Sequence, residues 1–256
     1  MSFFSTFAHM KDTEQIYGIR AVIEAIKANE PIDKVFIQKG LKGDLSRDME
    51  TLIRKNGITA SYVPIEKLNR LTKNNHQGVV ANISPITFLT VEELVEKVLE
   101  TEKTPLFLLL DQLSDVRNFG AVIRTAECTG VDGIIIQKKG AAPVTADTIK
   151  TSAGAAFRVS IAKIDHIKDA VFYLQASGIK VIAATEKTEN TIYEVSFKEP
   201  CAIIMGSEDV GISPSILKAA DHMAKLPMLG EIGSLNVSVA CGVFLYEAVR
   251  QRQETN

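Results

Sequence analysis

Three loops in the second half of the chain carry polar residues of the types that perform chemistry. Each loop follows a short apolar run typical of a buried strand and leads into a helix. Their sequences are LLLDQLSDVRNFGAVIRTAECTG at 108–130, CAIIMGSEDVGI at 201–212 and KLPMLGEIGSLNVSVACGVFLYEAVRQR at 225–252. Because ligands of parallel α/β sheets bind at the carboxyl ends of the strands, these loops are where we expect a site.

The first loop offers a charged residue inside a short apolar helix. The predicted strand places Asp111 at its carboxyl end, Asn118 is a candidate helix cap, and Arg124 lies one turn further into the helix. An arginine in such surroundings needs an anionic or carbonyl partner. Two interpretations stay open: Arg124 pairs with a ligand, or it forms an ion pair with Asp111 or Asp115 that only stabilises the fold.

The second loop is short and rich in glycine. Gly206 ends the predicted strand, where the lack of a side chain lets a ligand approach the backbone, and Ser207 and Glu208 follow. The spacing of Gly206 and Gly211 is that of a phosphate-binding loop, but the Lys-Ser/Thr pair that completes such a loop is missing. A nucleoside triphosphate site is therefore disfavoured, and a plain strand-to-helix turn explains the glycines equally well.

The third loop brings two small polar residues to the start of the last helix. Ser234 is predicted to cap this helix, and Asn236 lies beside it. The free backbone N–H groups at a helix N-terminus favour an anion or a lone pair. Helix capping explains one of the two residues and leaves the other available for a site.

The elements that must position these loops alternate between strand and helix, which predicts an α/β fold with a parallel sheet covered on both faces. The predicted strands of this half are 106–110, 133–137, 158–162, 180–184, 201–205 and 224–226. The predicted helices are 121–129, 146–152, 166–176, 213–219 and 236–252.

The first half predicts a separate small α/β domain. Its predicted helices are 16–28 and 44–56 with a helical turn at 65–71, and its predicted strands are 34–38, 61–64 and 78–83. We place this domain at 14–84, a connector containing a helix capped by Thr90 at 85–104, and the larger domain at 105–253.

Composition narrows the function classes. The 256 residues include 46% hydrophobic residues, and 29 Lys and Arg against 31 Asp and Glu give a net charge of −2, which excludes a mainly disordered chain. No apolar run reaches the roughly 18–20 residues of a membrane span. The start, MSFFSTFAHM, lacks a basic segment and is predicted to be a mobile leader rather than a signal peptide.

Cysteine and histidine usage points away from metals and disulfides. Cys128, Cys201 and Cys241 lie far apart without a CxxC pair, and the four histidines are equally scattered. We therefore expect reduced core thiols, no metal site and a cytoplasmic protein without a membrane partner. Residues 1–84 carry 12 Lys and Arg against 9 Asp and Glu, or +3, a weak indication of nucleic-acid contact.

In this order and spacing, the segments LDQLSDVRNFGAVIRTA, IIMGSEDVGI and KLPMLGEIGSLNVSVACGVFLYEAVRQR resemble the SpoU/TrmH family of RNA 2′-O-ribose methyltransferases, within the SPOUT superfamily. The resemblance covers about residues 105–252. IYGIRAVIEAI and NNHQGVVANI look like the small ribosomal-protein-L30e-like substrate domain of bacterial members. The combined match points to the branch that methylates a guanosine ribose in 23S rRNA.

The resemblance implies a deep trefoil knot in the C-terminal SPOUT domain, S-adenosyl-L-methionine as cofactor and a homodimer formed through the last helix and the helix of the first motif, with the site completed across the interface. Its catalytic positions match Asn118, Arg124, Glu208, Ser234 and Asn236, and its cofactor-binding positions match Gly206, Leu226 and Leu235. RNA contacts are expected from the loops of the knot and from the first domain, where the candidates are Arg20, Lys27, Lys39, Lys42, Arg54 and Lys55.

The sequence departs from the family pattern twice. Val116 follows Asp115 where proline is usual, and Asp209 replaces the glycine that usually follows Glu208. Neither position has an assigned chemical role, but Asp209 adds negative charge near the RNA side. Three other functions are weighed: a tRNA ribose methyltransferase, a non-catalytic RNA-binding protein with a vestigial site, and a nicotinamide dehydrogenase, which the absence of GxGxxG disfavours.

Overall fold

The computed structural model describes residues 15–253, which form two compact units. The first unit contains residues 15–87 together with 143–146, and the second contains residues 88–142 and 147–253. The predicted leader and residue 14 lie outside the described residues. No helix in the described part of the chain is long and apolar enough to span a bilayer.

The first unit is a four-stranded sheet flanked by helices. Its elements are β1 (Gln15–Tyr17), α1 (Ile19–Lys27), β2 (Ile32–Gln38), α2 (Asp44–Lys55), β3 (Thr59–Val63), α3 (Ile65–Leu71) and β4 (Val79–Ile83). The strand order is β1-β4-β2-β3, with β2 and β3 parallel and the other pairs antiparallel. Apolar residues of α1 and α2, including Val22, Ile26 and Met49, are buried against the sheet.

The start of this unit differs from its prediction. The predicted helix 16–28 begins at Ile19, because Gly18 adopts a positive φ of 90° and separates it from β1. Ile16 instead pairs with Ala81 in the sheet. The helical turn predicted at 65–71 is confirmed as α3.

The second unit is built on a six-stranded sheet in the order β10-β8-β9-β5-β6-β7, and all its strand pairs are parallel. The prediction of a parallel α/β sheet is confirmed. The elements are α4 (Val91–Leu99), β5 (Leu106–Leu110), α5 (Val116–Cys128), β6 (Gly133–Gln137), α6 (Ala146–Thr151), β7 (Ile161–Ile164), α7 (Ile167–Ala176), β8 (Lys180–Ala184), β9 (Cys201–Met205), α8 (Pro214–Leu217), β10 (His222–Ala224) and α9 (Val237–Gln253).

Several boundaries in this unit differ from the sequence interpretation. α5 begins at Val116 rather than at the predicted 121, and β10 ends at Ala224, where the predicted strand 224–226 begins. The strand predicted at 158–162 begins at Ile161, because Ala155–Phe157 forms a 3₁₀ turn just before it. Periodicity locates these elements but does not fix their ends, which depend on capping and on turns.

The predicted connector contains a helix of the second unit. Thr90 caps α4 in a capping box, since Glu93 N–H donates to Thr90 Oγ1 at 3.1 Å and Thr90 N–H donates to Glu93 Oε2 at 2.8 Å. The cap is as predicted. α4 buries Leu94 and Val95 in the core of the second unit, so the division between the units falls after residue 87 rather than at a linker of 85–104.

The sheet order explains why distant loops can share one site. β5 and β9 are central, fully buried neighbours, with Leu110 in register with Met205. β8 lies on the other side of β9. Because parallel strands end at the same edge of a sheet, the loops after β5, β8 and β9 emerge side by side.

The end of α9 is hydrogen-bonded to two separate segments of the second unit, 104–105 and 197–199. The Arg252 guanidinium donates hydrogen bonds to the carbonyl oxygens of Thr104, Pro105, Phe197 and Glu199 at 2.8–3.2 Å. These bonds hold the helix across the amino ends of β5 and β9. The trefoil knot implied by the resemblance stays a prediction.

Candidate active site

A hydrogen-bonded cluster joins the three loops that the sequence singled out. Glu208 Oε1 accepts from Asn118 Nδ2 and from Asn236 Nδ2, each at 2.7 Å. Asn236 Nδ2 also lies 3.1 Å from Asn118 Oδ1. One carboxylate oxygen therefore ties together residues from α5, the loop after β9 and the start of α9, and hydrogen bonds to a charged acceptor are the stronger kind.

Asn118 reaches this cluster because another residue caps its helix. Asp115 is the cap of α5, and its Oδ1 accepts from Asn118 N–H at 2.8 Å. The prediction that Asn118 caps the helix is wrong, and its side chain is thereby free to face Glu208. Val116 is the first helical residue, a position where proline is common but not required, so this departure from the family pattern leaves the helix intact.

Asn236, not Ser234, supplies the hydrogen bonds at the start of α9. Asn236 Oδ1 accepts from Ser238 N–H at 3.0 Å and from Ser238 Oγ at 2.6 Å. The prediction that Ser234 caps this helix is therefore wrong. Ser234 is exposed, and its hydroxyl has no hydrogen-bond partner among residues 15–253.

The loop that presents Glu208 is a tight turn between Gly206 and Gly211. Gly211 N–H donates to the carbonyl oxygen of Ser207 at 2.9 Å, and Val210 N–H donates to Ser207 Oγ at 3.3 Å. A Cβ on Gly206 would overlap the backbone of Gly211 and Ile212. The missing side chain of Gly206 therefore lets another part of the same chain, the backbone at Gly211 and Ile212, approach it closely.

A cleft of about 890 Å³ opens beside the cluster, within the volume range of small-molecule and cofactor sites. Six predicted site residues line it: the catalytic candidates Glu208, Ser234 and Asn236 and the cofactor-binding candidates Gly206, Leu226 and Leu235. Apolar walls come from Met205, Val237 and Phe244. The structure therefore brings together the second and third motifs at a single cavity, with Asn118 joined to it through Glu208.

The charged residues that line the cleft are mostly acidic. They are Glu186, Glu208 and Asp209, with Lys225 as the one cation. Lys225 Nζ already pairs with Glu189 Oε2 at 3.0 Å. This charge distribution suits a ligand that carries positive charge. The sequence interpretation missed Glu186, although its place just after the predicted strand 180–184 could have indicated it.

Arg124 stands apart from this cluster. Its side chain is exposed, does not line the cleft and has no hydrogen bond or ion pair within residues 15–253. The alternative of an ion pair with an aspartate is wrong, because Arg124 pairs with neither of them. Asp111 is fully buried, with its Oδ2 accepting from Ser213 N–H at 2.8 Å, and Asp115 caps α5. The guanidinium is therefore free to bind an anion from outside the chain.

Other reactive groups near the site are excluded by their environment. Burial raises the pKa of the Cys241 thiol on α9 to about 12, so this thiol stays protonated and unreactive at neutral pH. Burial also raises the pKa of Cys201, which lies at the far, amino end of β9. Cys128 is exposed, so the expectation of a core thiol is wrong at that position. Within the described residues, no group of three or more His, Cys, Asp or Glu side chains is arranged to hold a metal ion.

We expect Gly206→Ala to destabilise the second unit, because the new methyl group would push against the backbone at Gly211 and move the turn that carries Glu208. Overpacking of this kind costs about 1–3 kcal/mol. Chemical denaturation measures the loss. Gly230→Ala is the matched control, since a Cβ there meets nothing within 4 Å, and it should stay within about 0.5 kcal/mol of wild type. Equal stabilities for both variants would contradict the steric argument.

Family comparisons agree with both halves of the sequence interpretation. The model of the SpoU rRNA Methylase family matches residues 105–246, and a model described as RNA 2′-O ribose methyltransferase substrate binding matches residues 15–89. The chain is 32% identical over 240 residues to a putative TrmH family tRNA/rRNA methyltransferase of Bacillus subtilis, covering 93% of this chain and 96% of that protein.

A second relative is the 23S rRNA (guanosine-2′-O-)-methyltransferase RlmB of Photobacterium profundum, with 34% identity over 94% of this chain and 98% of the relative. Among solved structures, the SpoU methyltransferase AviRb of Streptomyces viridochromogenes in complex with the cofactor AdoMet has the same fold. Its TM-score is 0.59 at 22% identity, covering 94% of this chain and 90% of that chain. From the family model over more than half of its length, and from relatives above 30% identity over nearly all of it, the chain belongs to the SpoU rRNA methylase family.

Proposed function

We propose that this protein methylates the 2′-hydroxyl of a guanosine ribose in 23S rRNA, with S-adenosyl-L-methionine as the methyl donor. The observation that carries the proposal is the cluster of Asn118, Glu208 and Asn236, in which Glu208 and Asn236 line the cleft and Asn118 is hydrogen-bonded to Glu208. The choice of 23S rRNA is supported by the name of the Photobacterium relative and by the match of residues 15–89 to a substrate-binding model.

The cleft fits the proposed donor in size and charge. Gly206, Leu226 and Leu235 line it, at the positions that the resemblance assigns to cofactor binding, and its acidic residues complement a cation. When bound, the donor supplies a methyl group on a positively charged sulfur. The chain's own contribution is to hold the ribose hydroxyl in line with that methyl group, since positioning alone can supply much of a rate enhancement.

The cluster and Arg124 have distinct proposed roles. Glu208 fixes the side-chain amides of Asn118 and Asn236, which orient the ribose together with the unpaired hydroxyl of Ser234. Arg124 binds the phosphate of the target nucleotide and stabilises negative charge that develops on the ribose oxygen. A guanidinium stays protonated in proteins, so we assign Arg124 an electrostatic role rather than that of a proton acceptor.

The first unit is proposed to bind the RNA backbone. The six basic residues that the sequence suggests for RNA contact are all exposed. Among these six, Lys27 is the one that pairs with a carboxylate, with its Nζ 2.9 Å from Glu24 Oε1. Neutralising phosphates with such side chains makes binding depend on salt. We propose a cytoplasmic location on the ground of this proposed substrate.

An exposed apolar face supports a homodimer. Val239, Val243 and Tyr246 lie four and three residues apart on α9, and their side chains are 53%, 39% and 57% exposed. Tyr193, at 65% exposure, lines the same shallow groove. A second copy of the chain that covers this face would also explain why Arg124 finds no partner within its own chain.

The substrate assignment predicts which RNA becomes methylated. With methyl-labelled S-adenosylmethionine, unmodified 23S rRNA should accept label on a guanosine ribose, located by mass mapping of RNA fragments, and bulk tRNA should not. Label on tRNA alone would favour the alternative of a tRNA ribose methyltransferase. The name of the Bacillus relative includes both tRNA and rRNA. If neither RNA accepts label from the cofactor, the result would favour the non-catalytic RNA-binding alternative.

The dimer predicts that Arg124 serves the site of the other copy. We expect Arg124→Ala to lose most activity and Arg124→Lys to recover only part, because lysine keeps the charge but lacks the planar fork. Mixing Arg124→Ala with Asn236→Ala chains should restore about a quarter of the wild-type rate, since each mixed dimer then contains one intact site. No recovery in verified mixed dimers would show that Arg124 acts within its own chain.

A further inference from the structure

One acidic residue on the wall of the cleft has no part in the hydrogen-bonded cluster. Glu186 follows β8 by two residues and lines the cavity together with Thr185 and Gly206. β8 pairs in parallel with β9, and Gly206 comes directly after β9. Glu186 therefore lies at the carboxyl end of the strand next to the one that carries the glycine turn.

The segment that carries Glu186 is held in place. Thr185 is 8% exposed, and its N–H donates to the carbonyl oxygen of Ala224 at 2.9 Å. Thr185 Oγ1 lies 3.5 Å from Glu186 Oε2 and accepts from Lys187 N–H at 3.2 Å. The buried threonine thus fixes the backbone on both sides of Glu186 and lies against one oxygen of its carboxylate.

The carboxylate of Glu186 is otherwise available to a ligand. It forms no ion pair within residues 15–253, and Lys225, the cation of the cleft, is paired with Glu189. An ionised carboxylate can only accept hydrogen bonds, so it needs hydroxyl or N–H donors or a cation. Two neighbouring hydroxyl groups, as on a ribose, match its two oxygens.

We propose that Glu186 accepts hydrogen bonds from the ribose hydroxyls of the bound S-adenosylmethionine and so determines cofactor specificity. This inference rests on the proposed function. In dinucleotide-binding sheets, an acidic residue near the glycine-bearing turn recognises a ribose hydroxyl in the same chemical way. The proposal adds a cofactor-binding residue to the cleft and leaves the roles of Glu208 and the two asparagines unchanged.

Calorimetric binding of S-adenosylhomocysteine and its 2′-deoxy and 3′-deoxy forms tests the proposal without relying on turnover. For wild type, removal of a contacted hydroxyl should weaken binding about tenfold to a hundredfold, the range for a hydrogen bond to a charged group. In Glu186→Ala, S-adenosylhomocysteine and the deoxy form should bind with equal affinity. Glu186→Gln, which keeps one acceptor oxygen, should retain part of the discrimination.

Asp209→Asn is the matched control, because Asp209 is another exposed acidic residue of the cleft. It should leave the discrimination between hydroxyl and deoxy ligands unchanged. The proposal is overturned if Glu186→Ala weakens all three ligands by one common factor, since Glu186 would then act through its charge alone. Failure of wild type to bind S-adenosylhomocysteine would instead overturn the proposed function, and this inference with it.

Discussion

A single carboxylate oxygen, Oε1 of Glu208, is the point on which the proposed site depends. The two asparagine amides that donate to it come from residues 90 positions earlier and 28 positions later in the chain. Without this shared acceptor, the side-chain N–H groups of Asn118 and Asn236 would lose the carboxylate that fixes their direction. With it, three loops take one arrangement, and the polar groups that face a substrate are set before the substrate arrives.

The parallel sheet makes this convergence possible. Because β5 and β9 are neighbours, the loop that begins at Asp111 lies against the loop that begins at Gly206, and Asp111 accepts from the backbone of Ser213 in that second loop. Arg252 holds the far end of α9, and Asn236, the residue just before this helix, lies beside Glu208. The rigid elements therefore fix the loop ends, and side-chain hydrogen bonds set the remaining geometry.

Much of this arrangement could be predicted from sequence. Continuous apolar runs between amphipathic helices identify the parallel strands, and strand ends identify the loops that carry Asn118, Glu208 and Asn236. The cap assignments failed because two suitable residues lie close together at each helix start, and backbone torsion angles decide between them. The sequence places α4 in a connector, because a short amphipathic helix does not reveal which core receives its apolar face.

Other features had little or no local signal. The place of Glu186 just after a predicted strand is a weak indication, and its position beside the glycine turn becomes visible only when β8 and β9 are seen side by side. The isolation of Arg124 was equally hidden, because the sequence does not show that Asp111 is fully buried and that Asp115 caps α5. Contacts between residues far apart in sequence decide which side chains face the cleft and which charged groups are paired.

The most direct test of the central claim is whether the cluster acts as one unit. Single-turnover rates of ribose methylation should be measured for Asn118→Ala, Asn236→Ala and the double variant. If Glu208 joins the two asparagines into one functional group, the double variant should be about as slow as the slower single variant, as expected for residues that act together. Rate losses that multiply in the double variant would show two independent contributions and contradict the account.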